Sequence, residues 1–160
     1  MAAYYRAKTG GPGALFADAV REYEEALRID PDSPPVRRLY DEMRFFQARA
    51  VAEAYSRAGK PDRALAEYQK SLGIRPDNPW TWNSVAVCHA AMGHAEETGA
   101  ALRKAIEVAP LFTVARNNLA LYYWKLGDKE AARRELKTSL EQNPYDLEAN
   151  RVAHVIADER

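Results

Sequence analysis

The sequence lacks features that several classes of protein require. Its 160 residues include a single cysteine, Cys88, which excludes an internal disulfide and a four-thiolate metal site. The 23 lysines and arginines are balanced by 23 aspartates and glutamates, whereas proteins that coat nucleic acid or anionic membranes usually carry a basic excess. We therefore expect no nucleic-acid partner.

Long apolar runs are also missing. The longest stretch without a formal charge, residues 78–95, is interrupted by asparagine, serine, histidine and glycine, and a membrane-spanning helix needs about 20 mostly apolar residues. The opening MAAYYRAKTGG has no apolar core of the kind found in secretory signals. We expect no direct membrane insertion and a cytoplasmic or other soluble compartment, with a removed signal or anchor left open.

An internal repeat is the strongest signal in the chain. Three prolines recur at intervals of 34 residues: Pro76, Pro110 and Pro144. Three glycines precede them by 17 residues each: Gly59, Gly93 and Gly127. Glycine ends a helix cheaply and proline blocks its continuation, so each unit is predicted to be two short helices joined by a turn.

Small and aromatic residues recur at fixed places in these units. Residues 45–78 carry Ala52, Tyr55, Gly59, Ala64, Tyr68 and Pro76. Residues 79–112 carry Trp82, Ala86, Gly93, Ala105 and Pro110. Residues 113–146 carry Leu119, Ala120, Tyr123, Gly127, Ala132 and Pro144. In these positions the chain resembles the tetratricopeptide repeat (TPR) family, and it departs from the family at His89, Thr98 and Leu102.

The resemblance implies an all-α fold: a TPR-type right-handed superhelical solenoid of helix-turn-helix repeats with a C-terminal capping helix. We predict a single TPR domain over residues 1–160, with an atypical N-terminal unit at 1–33 and a capping helix at 147–160. Between them lie a repeat with an extended first helix at 34–78 and repeats at 79–112 and 113–146. The extended helix is predicted to run from about Pro35 to Arg57, and the alternative is a break near Met43.

The family geometry also implies a concave groove lined by the first helix of each pair. Its function would be that of a non-catalytic protein–protein interaction scaffold or adaptor that binds a peptide segment or partner protein there. The side chains expected to face the groove are Arg49, Glu53, Arg57, Trp80, Asn83, Ser84, Val87, Asn117, Asn118, Leu121, Trp124, Lys125 and Arg151, together with Phe46 and Val155. Amides would bind a peptide backbone, and the basic groups would hold a carboxylate. Alternatively, Trp80 and Trp124 pack against neighbouring turns.

Two known groove chemistries of the family can be compared with these residues. The two-carboxylate clamp of some co-chaperones would fall on Arg49, Glu53, Ser84, Val114 and Asn118, of which only Arg49 keeps the chemistry. The clamp is therefore disfavoured. Asn83 and Asn118 resemble, weakly, the asparagine ladder found in other TPR arrays.

The long helix offers an alternative interface. It carries more large apolar groups than one packing seam needs, among them Tyr40, Met43, Phe45 and Phe46. The alternative interface consists of these four residues and Arg37. Either the N-terminal segment folds over them, or they contact another chain. The second case would make the protein a homo-oligomer or a structural subunit of a larger assembly, membrane-associated assemblies included.

Candidate chemistry is sparse. Cys88 and His89 are adjacent and point about 100 degrees apart on a helix, which does not suit a shared metal ion, and His89 is expected to be a satisfied histidine at the edge of the core. The sequence has no His-Glu-x-x-His, no Gly-x-Ser-x-Gly and no phosphate-binding loop. We expect no enzyme activity, no cofactor and no metal.

Overall fold

The computed structural model describes residues 13–158 of the chain. This part consists of eight α-helices without a strand, as the sequence predicts. Their bounds are α1 Ala14–Ile29, α2 Pro34–Arg57, α3 Pro61–Ile74, α4 Pro79–Ala91, α5 Ala95–Val108, α6 Thr113–Lys125, α7 Lys129–Gln142 and α8 Leu147–Asp158.

The ends of these helices follow from local sequence. Proline opens α2, α3 and α4, where its missing N–H costs nothing. The Asn78 side chain accepts a hydrogen bond of 2.9 Å from the backbone N–H of Thr81, and Asp128 does the same for Ala131. The turns after α4 and α6 contain Gly93 and Gly127, whose φ angles of 79° and 81° are left-handed and favour glycine.

The chain divides after Pro76 into two compact units. In the first unit α1 packs on α2, and α2 packs on α3. The helix α2 is continuous, so the predicted long helix is confirmed and the break near Met43 is wrong. Residues 1–12 of the predicted N-terminal unit at 1–33 lie outside the described residues.

The core of the first unit lies between its three helices. Phe45 is 1% exposed, and the small side chains of Ala52 and Ala64 are fully buried where α2 meets α3. Small residues at such contacts allow the helix axes to approach closely. Burying a side chain the size of Phe45 contributes roughly 1.5–3 kcal/mol.

In the second unit α4 pairs with α5 and α6 pairs with α7, while α8 packs on both α6 and α7. A core cluster joins the last three helices and consists of Ala120, Ala132, Leu136, Ala149, Val152 and Ile156. The predicted repeats at 79–112 and 113–146 match these two helix pairs. The helix α8 covers the apolar side of the last pair, as expected of a cap.

Candidate functional site

An amide pair joins the first helices of the two repeats in the second unit. Asn118 on α6 donates through Nδ2 to Oδ1 of Asn83 on α4, at 2.8 Å. Both side chains are partly exposed. One hydrogen bond leaves Nδ2 of Asn83 and Oδ1 of Asn118 without a partner in the described part of the chain, so the pair can still donate and accept.

A pocket of about 270 Å³ lies beside this pair. Its walls come from α4, α5 and α6 and the turns that follow α4 and α6, and the lining residues are Ala86, Val87, Ala90, Gly93, Ala95, Thr98, Leu102, Asn118, Leu121, Tyr122, Lys125 and Leu126. Val87 and Leu126 are 48% and 56% exposed. Large apolar side chains of the second unit are thus left in contact with water where a concave surface is available.

The pocket exists because small residues stand where larger ones would fill it. Ala86, Ala90 and Ala95 contribute only a methyl group each to its wall. Gly99 on α5 lets the ring of Tyr122 approach, since a Cβ at Gly99 would lie 2.8 Å from the Cζ and Oη atoms of Tyr122.

One charge stands at this otherwise nearly neutral pocket. Lys125 is the single charged residue among those that line it. Lys125 is exposed, and no carboxylate of residues 13–158 forms an ion pair with it. The hydroxyl of Thr98 donates 2.7 Å to the carbonyl oxygen of His94, so it is already satisfied. Lys125 is therefore the group able to attract an anionic partner.

The two predicted groove tryptophans pack against their neighbours. The ring of Trp80 meets that of Phe112 edge-to-face at 4.6 Å, although Trp80 remains 53% exposed. Trp124 packs against the core cluster of the last three helices, and Nζ of Lys129 lies 4.9 Å from its ring centroid. Both tryptophans therefore pack against neighbouring residues at the edge of the core, which is the alternative to a groove role given above.

Asn117 is placed differently from our expectation, and its assignment to the groove is wrong. It is 2% exposed. Its Oδ1 accepts a hydrogen bond of 2.6 Å from Oγ of Ser139 on α7, and its Nδ2 donates 3.3 Å to Oδ2 of Asp146, just before α8. Buried amides are stable when hydrogen-bonded in this way, so Asn117 joins three parts of the fold.

Asp146 is the polar centre of the junction with α8. Its Oδ1 accepts 3.0 Å hydrogen bonds from the backbone N–H groups of Glu148 and Ala149. Burial alone would raise the pKa of Asp146, but hydrogen bonds from the Ala149 backbone and from the side chains of Thr113 and Asn117 outweigh it, so that this pKa lies below its usual range.

The predicted groove residues of the first unit bond to one another along α2. Nη2 of Arg49 lies 3.1 Å from Oε1 of Glu53, and Nε of Arg57 donates 3.2 Å to the carbonyl oxygen of Glu53. Nε of Arg49 is buried and has no partner in the described part of the chain. These contacts leave the basic groups partly engaged.

The remaining predicted groove residues lie at partly or fully exposed places. Ser84 is partly exposed and donates 3.0 Å to the carbonyl oxygen of Trp80. Arg151 on α8 is exposed, with a carboxylate oxygen of Glu148 at 3.9 Å. Val155, two turns from the start of α8, is 47% exposed.

The alternative interface on α2 is largely covered by α1. The ring of Phe46 stacks on Phe16 at 5.7 Å, and the hydroxyl of Tyr40 donates 2.9 Å to Oε1 of Glu24. Burial and this bond raise the pKa of Tyr40. Phe45 is buried, so its assignment to an exposed interface is wrong.

The last two residues of that interface are less enclosed. Arg37 is exposed and donates 3.1 Å to the carbonyl oxygen of Pro31, while Met43 is half-buried. The helix α1, which belongs to the N-terminal segment, therefore covers the apolar side of α2.

The residues we considered for metal chemistry differ in burial: Cys88 is buried, His89 is half-buried and His94 is exposed. Cys88 is buried, and burial raises the pKa of its thiol. The rings of His89 and His94 lie 5.8 Å apart. Nδ1 of His89 is buried without a partner among the described residues, so the expectation of a satisfied histidine is wrong at this atom.

Comparison with known proteins identifies the repeats. The family model described as Tetratricopeptide repeat matches residues 50–78 and 114–146. Residues 50–78 and 114–146 are therefore tetratricopeptide repeats, and the eight helices of residues 13–158 have the fold of TPR solenoids.

Individual relatives share part of the chain. The TPR repeat-containing thioredoxin TTL4 of Arabidopsis thaliana is 35% identical over 93 residues, which are 58% of this chain and 14% of that protein. The photosystem I assembly protein Ycf3 of Cyanophora paradoxa is 30% identical over 124 residues, or 77% of this chain and 62% of that protein. The chain thus spans less than two thirds of either relative.

Among solved structures, the first TPR of Spaghetti (RPAP3) bound to the HSP90 peptide SRMEEVD is similar with a TM-score of 0.66 and 20% identity. The match covers 71% of this chain and 90% of that chain. Within residues 13–158, no helix combines the length and the apolar character that crossing a membrane demands.

Sequence reasoning placed Asn83, Asn118, Val87, Leu121 and Lys125 on one face, and the second unit brings all five to the amide pair or the pocket. It missed the other eight lining residues, which are Ala86, Ala90, Gly93, Ala95, Thr98, Leu102, Tyr122 and Leu126. The available signal was the glycine within α5, since a glycine inside a helix often marks a close approach by a neighbouring side chain.

Proposed function

We propose that this protein is a non-catalytic interaction module, which binds an extended segment of a partner protein on the exposed face of α4 and α6. The observation that carries the proposal is the Asn83–Asn118 pair next to the apolar pocket. Unused amide groups suit a peptide backbone, and an open apolar pocket suits one of its side chains.

The chemistry of the surface favours binding over catalysis. The buried Cys88 thiol has a raised pKa, which keeps it protonated and poorly nucleophilic at neutral pH. The pocket is lined by alanines, aliphatic side chains and one tyrosine, with Lys125 and the amide of Asn118 as its main polar groups. A lysine and an amide can hold a ligand without the base and nucleophile that hydrolysis requires.

Similar proteins support the same class of function. The similar RPAP3 domain is named as bound to an HSP90 peptide, and a matching protein of Eremothecium gossypii, 30% identical over 85 residues, is named a peroxisomal targeting signal receptor. The first name states that a peptide is bound, and the second names a receptor for a targeting signal. These names do not identify the partner of this chain, because its partner depends on the residues that line its own pocket.

Photocrosslinking tests which face meets the partner. Benzoylphenylalanine is placed at Val87, on the rim of the pocket, and separately at Lys137, whose side chain on α7 is 78% exposed. Each purified chain is irradiated in an extract of the source cells. We expect a discrete protein adduct from the Val87 position and none from the Lys137 position.

The control is that both substituted chains have the helicity and melting temperature of the wild type. Adducts from Lys137 alone, or the same adducts from both positions, would contradict binding on the face of α4 and α6.

A further inference from the structure

We infer that two copies of this chain associate through the exposed face of α8, with the two helices antiparallel about a two-fold axis at Arg151. This face is separate from the surface of α4 and α6, so the inference goes beyond the proposed function and does not rest on it. The association is weak and therefore depends on protein concentration.

The outer face of α8 is more apolar than a capping helix requires. Ala149, Val152 and Ile156 are buried against the preceding helices, whereas Leu147 and Val155 are 86% and 47% exposed. The terminal element of a repeat array is expected to present a polar outer face, which keeps the protein soluble. These two apolar side chains are instead available to another molecule.

The exposed residues of α8 form one stripe with a symmetric order of groups. Leu147, Arg151 and Val155 follow one another at four-residue spacing, which places them on the same side of the helix. Glu148 and His154 are also exposed and lie three residues before and after Arg151. The stripe therefore has an apolar group at each end and charged or polar groups between them.

An antiparallel second copy brings complementary groups together. A two-fold axis at Arg151 places Leu147 opposite Val155 of the second copy, because both lie four residues from the axis. The same axis places Glu148 opposite His154 of the second copy, and an imidazole N–H can donate to a carboxylate. Each contact occurs twice, as symmetry requires of an interface between identical surfaces.

The two central arginines are balanced by two glutamates. Within one chain, Nη1 of Arg151 lies 3.9 Å from Oε2 of Glu148, and these side chains are 79% and 61% exposed. Three residues correspond to about 4.5 Å along a helix axis. Glu148 of the second copy is therefore displaced by the same distance on the other side of Arg151, so that positive and negative groups alternate across the contact.

This mixture of charges favours a second copy over an unrelated partner. A partner surface of one sign would place a like charge against either Glu148 or Arg151, which is unfavourable, whereas a second copy matches both. The helix has 12 residues and is thus about 18 Å long. One pair of such helices buries less than the roughly 1,200 Å² at which stable interfaces begin, and this small area makes the dimer weak.

Sedimentation velocity of the full chain between about 1 µM and 1 mM, the range of weak association, tests the inference. Glu148→Arg and Arg151→Glu each place like charges opposite one another in a homodimer, but a mixture of the two variants pairs opposite charges. The double variant Leu147→Ser with Val155→Ser removes the apolar contacts. Its matched control is Leu111→Ser, since Leu111 is 78% exposed and lies outside α8.

We expect the mass of the wild type to rise with concentration from that of a monomer to that of a dimer. Each charge variant alone, and the double serine variant, should raise the dissociation constant about tenfold or more. An equal mixture of Glu148→Arg and Arg151→Glu should associate at least as strongly as the wild type, and Leu111→Ser should behave as the wild type does. All variants must keep the wild-type helicity and melting temperature.

Three results would overturn the inference. A wild type that stays monomeric over the whole range would exclude a second copy as the occupant of this face. A dimer that the α8 variants do not weaken would place the contact elsewhere on the molecule. Charge variants that fail to associate when mixed would exclude the antiparallel arrangement about Arg151.

Discussion

At the scale of single residues, a buried hydrogen-bond network joins helices of the second unit, as apolar contacts do elsewhere in the chain. Ser139 and Asn117 are both buried and hydrogen-bonded to each other at 2.6 Å. The serine at the corresponding place in the earlier repeat, Ser71, is equally buried but bonds only to the carbonyl oxygen of Tyr68 in its own helix. Equivalent serines therefore have different energetic roles.

Replacement of these serines by alanine tests the difference. Ser139→Ala removes the hydroxyl donor from a buried amide oxygen, which should lower the free energy of unfolding by about 1–3 kcal/mol. Ser71→Ala removes a bond to a carbonyl that belongs to a helix and leaves no buried amide without its donor, so we expect a smaller loss than for Ser139→Ala. Chemical denaturation of the two variants measures both values. Equal losses would contradict a special role for the Asn117 network.

The sequence predicted which residues share a helix more accurately than it predicted which of these residues are buried. Asn117 and Asn118 are neighbours of the same type, yet one lies in the core and the other at the surface. Burial of Asn117 depends on partners 22 and 29 positions away, and these become visible only once three helices have packed. The pocket could not be predicted from the sequence either, because it forms where alanines and a glycine leave space that larger side chains would fill.

At the scale of helices, the periodic prolines and glycines predicted the repeat elements closely, because they act through the backbone alone. The attachment of α8 depends on tertiary contacts instead. Asp146 caps α8 through two backbone N–H groups and also accepts a bond from Asn117 on α6. One carboxylate thus starts the helix and ties it to the preceding repeat.

Acid should weaken this attachment. Because the folded-state pKa of Asp146 is lowered, its contribution to stability is complete above the unfolded value of about 3.9 and is lost as the pH falls through the folded value. Unfolding measured between neutral and strongly acidic pH should show a smaller acid loss for Asp146→Asn than for the wild type.

A second substitution gives the size of the effect. Asp146→Ala should cost about 1 kcal/mol at neutral pH, as loss of an N-cap usually does. The control Asp32→Ala changes an exposed acid that precedes α2, and it should have little effect. Identical acid profiles for the wild type and Asp146→Asn would contradict the assigned role of this carboxylate.

At the scale of the whole molecule, residues 13–158 form two compact units in which each helix packs on helices next to it along the chain. Such repeats bury one side of each helix against neighbours and leave the other side available to partners. In the second unit the available side of α4 and α6 combines amides, an apolar pocket and one lysine. In the first unit, the charged side chains on the corresponding side of α2 bond to groups of the same helix.

The most direct test of the account is nuclear magnetic resonance of the isotope-labelled chain during titration with a peptide selected against it. We predict that the largest shift changes fall on Asn83, Val87, Asn118, Leu121 and Lys125, and that the exposed side of α7 around Lys137 stays unchanged. Changes centred on α7 or on α2, with the face of α4 and α6 unaffected, would contradict the account.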